Sequence, residues 1–260
     1  AEDLVVALDV VGGVDSFNRR GWRLDLPRPE KRSLGEFRVA VWPTASQCPV
    51  STVVADRVQS VTDRLAKLGA KVSDTARPEF EVSESHRIYR SMLQGQTCED
   101  IPDDVFERLE EGARTLDPAE SNETVLTLRA IVQTHRDWVR NTHGRARLRL
   151  AWEAFFKEWD ILLCPQMPTT AFPHDHSPLP GRSLVVDDRT IPYLTQVFWS
   201  GLISVAFLPS TVFPTGLAED GLPIGLQAAG AEFNDYTCLQ FARLMAAELG
   251  GFQAPNGDED

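Results

Sequence analysis

No Cys-x-x-Cys pair occurs in this chain, and its four cysteines, Cys48, Cys98, Cys164 and Cys238, stand far apart. That spacing offers neither a zinc cage nor a dithiol redox centre. A chain of 260 residues needs no disulfides to hold a core, so reduced thiols and a cytoplasmic setting are expected. No apolar run approaches the roughly 18 residues that a membrane helix requires. Positive charge is also scarce. Lys and Arg number 26 against 38 Asp and Glu, a formal net charge of −12. Nucleic acid and anionic lipid both attract basic faces, so neither partner is expected. The sequon Asn122-Glu123-Thr124 stands without a secretory pattern and is read as chance.

What is present is ordinary globular material, 42% hydrophobic and 25% charged. Glu2 to Val11 reads as a helix with Leu4, Leu8 and Val11 on one face, ended by a left-handed cap at Gly12-Gly13. A polar surface connection follows. Phe37 to Trp42 is a short buried strand. Val53 to Leu68 is an amphipathic helix, capped by Ser51 or Thr52 and terminated by Gly69, and Ala70 to Ser73 starts a second strand. Strand, helix and strand in that order predict a right-handed β-α-β unit with parallel strands. Helices are expected near Ser83–Gln94 and Asp103–Arg114, with Asp103 as cap of the second. Asn122 to Trp159 is the longest helical stretch, with a break at Asn141 to Gly144. Its arginines Arg140, Arg145, Arg147 and Arg149 read as a solvated face.

Asp160 to Cys164 is an apolar strand stopped at Pro165. Gln166 to Arg189, with Pro168, Pro173, Pro178 and Pro180, reads as a long surface loop. Leu194 to Leu208 is an apolar helix, Ser210 to Phe213 and Gly225 to Ala229 are strands, and Asp235 to Leu249 is a closing helix. The tail from Gly257 to Asp260 reads as disordered. His174-Asp175-His176 lacks a third ligand at metal-site spacing and is read as loop, so no metal site is assigned. His135 and His143 are read as surface residues.

Three blocks of text carry a resemblance. The first is AEDLVVALDVVGG at Ala1 to Gly13, the second FFKEWDILLCPQMP at Phe155 to Pro168. The third is LPSTVFPTG with GLPIGLQAAG, within Leu208 to Gly230. In that order they resemble the amidase-signature family. The third block is the most specific, because its Gly, Pro and Gln spacing is hard to reach by chance. One departure is Phe207, where the family often has Gly before Leu-Pro.

The resemblance implies an α/β fold, part of a single amidase-signature domain over residues 1–260, with a mixed β-sheet covered by helices on both faces. It implies hydrolysis of a small-molecule carboxamide to carboxylate and ammonia or amine, with no cofactor. Family members use a Ser nucleophile, a second Ser in a cis peptide and a Lys as base. Their nucleophile lies in a Gly- and Ser-rich segment upstream of the helix with which this chain opens. Ser33-Leu34-Gly35 and Ser200-Gly201 lack such surroundings, and Lys31, Lys67, Lys71 and Lys157 sit in surface-like contexts. No catalytic residue is therefore assigned here.

The chain reads as the C-terminal portion of an amidase, from which the catalytic segment is absent. It is expected to be poorly soluble or oligomeric alone, since the missing half or a homo-oligomer must cover exposed sheet. A free-standing amidase fits the pattern better than one component of an amidotransferase. A non-catalytic, truncated amidase-like protein that binds or scaffolds is the alternative. In open α/β sheets, ligands lie beyond the carboxyl ends of strands. On that ground Cys164, Met167 and Trp199 are candidates for a substrate wall, with core packing as the competing role. Gln227, polar in an apolar strand, either bonds neighbouring backbone or supports that wall.

Overall fold

Alternation along Arg38–Val41 makes β1. Val39 and Val41 point to one side of a sheet and Ala40 to the other, all buried. The computed structural model describes residues 2–117, 119–120, 122–179 and 181–254. The first helix, α1, spans Glu2–Val11. The next, α2, spans Thr52–Lys67 and buries Val54, Val58, Val61 and Leu65 against the sheet, as their 3- to 4-residue spacing requires. Gly69 ends α2 at φ +91°, where a side chain would be strained. Lys71–Ser73 forms β2, parallel to β1, so the expected β-α-β unit is present.

Helix α3 runs over Val82–Thr97, α4 over Asp103–Arg114, α5 over Glu123–Ile131 and α6 over His135–Glu158. Ile161–Pro165 is β3, buried throughout and parallel to β1. Ser183–Val186 and Arg189–Pro192 form a separate hairpin, β4 and β5. Phe198–Ser204 is α7. Ser210–Leu217 and Pro223–Ala229 are β6 and β7, an antiparallel pair, and Asp235–Leu249 is α8. The main sheet has the order β2-β1-β3-β7-β6, with β7 antiparallel to β3. Its two faces carry separate cores. Val39, Ile161, Leu163 and Leu226 meet α2 and α8, while Ala40, Leu162, Cys164 and Ala229 meet α3, α6 and α7. The fold is therefore a mixed sheet covered by helices on both faces.

Several local expectations are corrected. The long helical stretch breaks at Val132 to Thr134, not at Asn141 to Gly144. Thr134 caps α6 by accepting from the Asp137 N–H at 3.2 Å. Gly144 stays helical because Ile88 packs onto it; a Cβ there would lie 2.6 Å from Ile88 Cδ1. Pro102, not Asp103, holds the cap position of α4, and Asp103 opens its first turn. Neither Gly12 nor Gly13 takes a left-handed conformation. Helix α1 buries no residue, and Val11 is 80% exposed.

The expected helix from Leu194 starts instead as a 3-10 turn over Tyr193–Val197 and ends with α7, before Phe207 at φ +59°. The proline-rich loop contains the β4–β5 hairpin, with its own small core of Leu184, Val186 and Ile191 against Phe172 and Tyr193. Asp187 turns that hairpin at φ +53°. Ser51 holds the cap position of α2 without a side-chain cap bond, and Asp187 serves the helix start instead, accepting from Thr52 N–H at 3.0 Å and Thr52 Oγ1 at 2.9 Å. Pro180 and the tail from Gly257 lie outside the described residues.

Candidate functional site

Strand register brings the predicted residues together at one end of β3. Cys164 lies opposite Gln227 of β7, and Val212 of β6 lies opposite Gln227 on the other side. Gln227 is 2% exposed, and an amide buried that deeply needs partners. Its Nε2 donates to Cys164 Sγ at 3.3 Å and to the Trp199 carbonyl at 3.4 Å, and its Oε1 accepts from Ser210 Oγ at 3.3 Å. Gln227 thus bonds a nearby backbone carbonyl and, through the same amide, ties β3, β6 and β7 to α7. Ser210 was not singled out from the sequence. It reaches Gln227 as a diagonal cross-strand neighbour, and that register is set by the hairpin, which carries an irregularity between Pro214 and Leu217.

The three wall candidates part company in depth. Cys164 and Trp199 are both 0% exposed. The Trp199 indole stands edge-on to Phe198 at 5.2 Å and to Trp42 at 6.5 Å between ring centres, a favoured aromatic geometry. Both residues present no atoms to a solute in this chain. Met167 does. It lines a cleft of about 230 Å³ with Phe172, Val54, Val212 and Gly225. Gly225 is required in that wall, because a Cβ would come within 2.9 Å of Val212 Cγ1.

Thiol chemistry is suppressed. Burial pushes the Cys48 and Cys164 thiols from 9.0 up to about 12, and Cys238 is pushed up by burial and then by Asp235. At neutral pH these three are protonated, so none is a thiolate nucleophile. The same shifts make a stability prediction. The unfolded chain releases these protons above about pH 9 while the folded chain keeps them, so stability falls as pH rises from about 9 towards 12. The slope is about 1.4 kcal/mol per pH unit for each thiol. Urea midpoints measured across that window should drop steadily. A midpoint unchanged between about pH 8 and pH 10 refutes the assignment.

Most of the remaining candidates have structural partners. Ser33 Oγ donates to Glu36 at 2.7 Å, and Ser200 Oγ donates to the Val197 carbonyl at 3.1 Å. Lys31 pairs with Asp160 at 3.2 Å, Lys157 with Glu153 at 3.6 Å, and Lys71 lies over the Trp159 ring. His174 and His176 face each other at 6.0 Å on the exposed loop, and no group of three metal-ligating side chains occurs among the described residues. Asp160, in the second sequence block, anchors the start of β3. It accepts from Arg38 N–H and Nη2, each at 2.8 Å.

Comparison with known proteins agrees with this architecture. The chain is 25% identical to the A-type component of glutamyl-tRNA(Gln) amidotransferase from Acaryochloris marina, over 93% of this chain and 52% of that protein. It is 24% identical to indoleacetamide hydrolase of Bradyrhizobium japonicum, over 95% of this chain and 50% of that protein. It therefore spans about half the length of these relatives. The solved structure of a bacterial aryl acylamidase of the amidase-signature family superposes with a TM-score of 0.64 at 17% identity, covering 95% of this chain and 51% of that one. A 6-aminohexanoate cyclic dimer hydrolase gives 0.62 at 20% identity, covering 95% and 53%. The family model described as Amidase matches residues 1–239, from α1 through the Gln227 strand into α8, and by that match the chain belongs to the amidase family.

Proposed function

We propose that these residues form the scaffold-and-wall half of an amidase that hydrolyses a carboxamide to a carboxylate plus ammonia or amine. In this reading the serine, cis-serine and lysine of the family lie outside residues 1–260. The observation that carries it is the family match over residues 1–239 in a chain half as long as its relatives. The structural roles of Ser33, Ser200, Lys31, Lys71 and Lys157 support it. The catalytic half would supply nucleophile, base and oxyanion donors. This half would supply Met167 and its cleft as substrate wall, backed by Cys164, Gln227 and Trp199.

Two surfaces suit the partner this reading needs, whether the catalytic half or a second copy. Strand β6 lies at the edge of the sheet, and Val212 on its open face is 46% exposed. An unpaired edge of that kind accepts another strand. Val6, Val10, Phe17 and Trp22 expose further apolar area on the N-terminal segment.

The test is ammonia release from a panel of simple amides. The 260-residue chain is assayed beside the same chain joined to the polypeptide encoded upstream of it. Hydrolysis only by the longer protein is expected. Hydrolysis by the shorter chain, surviving further purification, overturns the reading.

A further inference from the structure

A second cleft opens where α3, α6 and the end of α7 meet. Tyr89, Met92, Leu93 and Gln96 repeat at helical spacing along α3 and face Trp138 and Arg145 of α6. Ser204 and Val205 also line it, and the cleft holds about 350 Å³, within the roughly 300–1,000 Å³ range of small-molecule sites.

Its aromatic walls are fixed by glycine seats. The Tyr89 ring rests on Gly201 so closely that a Cβ there would lie 2.4 Å from it, and the Trp138 ring rests on Gly95, where a Cβ would lie 3.0 Å away. Rings seated this way need no reordering when a ligand enters.

Among the described residues, Arg145 is the one ionised side chain lining the cleft. Its guanidinium stacks 4.6 Å from the centre of the Phe207 ring. Among the described residues no carboxylate pairs with it, whereas Arg149, one turn along, is paired with Glu232 at 2.7 Å. Phe207 itself holds φ +59°, a conformation that strains a bulky residue. Its ring lies against two guanidiniums, those of Arg145 and Arg149. In a chain of net charge −12, a half-buried cation with no acidic partner among the described residues, lining a cleft of aromatic and aliphatic side chains, suits an anionic ligand with an apolar body.

We propose that this cleft binds a small aryl or alkyl carboxylate, with the carboxylate on Arg145 and the apolar body between Tyr89, Met92 and Trp138. Exposed Ser204 lines the same cleft, and its hydroxyl offers a second donor. The inference is independent of the amidase reading, because it concerns binding and is read without amide hydrolysis.

Calorimetric titration of the purified chain with 3-phenylpropanoate and with neutral 3-phenylpropanamide tests it. The carboxylate should bind at least about ten-fold tighter, the size of one charge-assisted hydrogen bond. Arg145→Gln should remove that difference, Arg145→Lys should keep part of it, and Arg149→Gln should leave it intact. Ser204→Trp, at an exposed position, should fill the cleft and abolish binding of both probes. Equal affinity for the two probes overturns the proposal. So does undiminished binding by folded Arg145→Gln, or no saturable binding of 3-phenylpropanoate at millimolar concentration.

Discussion

Replacing Asp160 by Ala should lower stability by about 3 kcal/mol, near the bottom of the range for breaking a buried ion pair. Asp160 sits where β3 leaves α6, with its side chain 12% exposed. It accepts from the Arg38 backbone N–H and guanidinium and pairs with Lys31. One carboxylate thus aligns the starts of β1 and β3, the two strands on which both cores are built. The lower end of the range applies because Arg38 and Lys31 are 36% and 30% exposed, so water takes over part of their loss.

The effect is also pH-dependent. Burial by itself would raise the Asp160 pKa, but the bonds from Arg38 and Lys31 outweigh it and hold the carboxyl below its ordinary 3.8. A depressed carboxylate adds stability above its unfolded pKa and loses it as pH falls through the folded one. Wild type and Asp160→Ala should therefore differ most at neutral pH and converge in strong acid. Asp160→Asn, which keeps an acceptor for the Arg38 N–H, should lie between them. Urea denaturation of the three proteins at pH 7 and near pH 3 measures this. Full stability in Asp160→Ala at pH 7 removes the anchor role.

Trp199→Ala should cost about 3–5 kcal/mol, the usual range for emptying a buried aromatic site. The indole is fully buried between Phe198 and Trp42, and α7 cannot collapse to fill the space while Tyr89 is wedged on Gly201. Trp199→Phe keeps most of the volume and should cost about half as much. The pair of variants also separates two roles in the complete enzyme. If the Trp199 layer shapes a substrate wall at Met167, Trp199→Phe shifts the preference between small and bulky amides while the protein still folds. An unchanged preference with normal folding leaves Trp199 as core alone. Its carbonyl still accepts from Gln227 in either variant, so loss of the Gln227 network does not confuse the result.

Much of the frame is legible in the sequence because it rests on local chemistry. Strand β1, helix α2, Gly69 and strand β2 follow from period-two alternation, helical spacing and a residue free to take positive φ. The amidase text around Leu208 and Gln227 identified the family, since Gly and Pro at those intervals are rare elsewhere. Two local readings at helix ends did not hold. Polar residues and glycines read locally as helix ends, yet Asn141 and Gly144 lie inside α6 with Ile88 packed on Gly144, and Gly12 follows α1 without the left-handed cap expected of it.

What only the tertiary structure decided is who meets whom across long stretches of chain. Asp187 caps a helix 135 residues away, a pairing that no spacing rule encodes. Cys164 and Trp199 became core and Met167 a cleft residue because depth depends on which helices lie over the sheet, not on the strand that carries them. Arg145 read as one more solvated arginine among its neighbours. It stands apart once α7 folds back and sets Phe207 against it. Sequence alone determined most of the regular elements and the family, since both are written in neighbouring residues. Burial, pairing and the two clefts arise from contacts between distant residues, and exist only when the chain is closed.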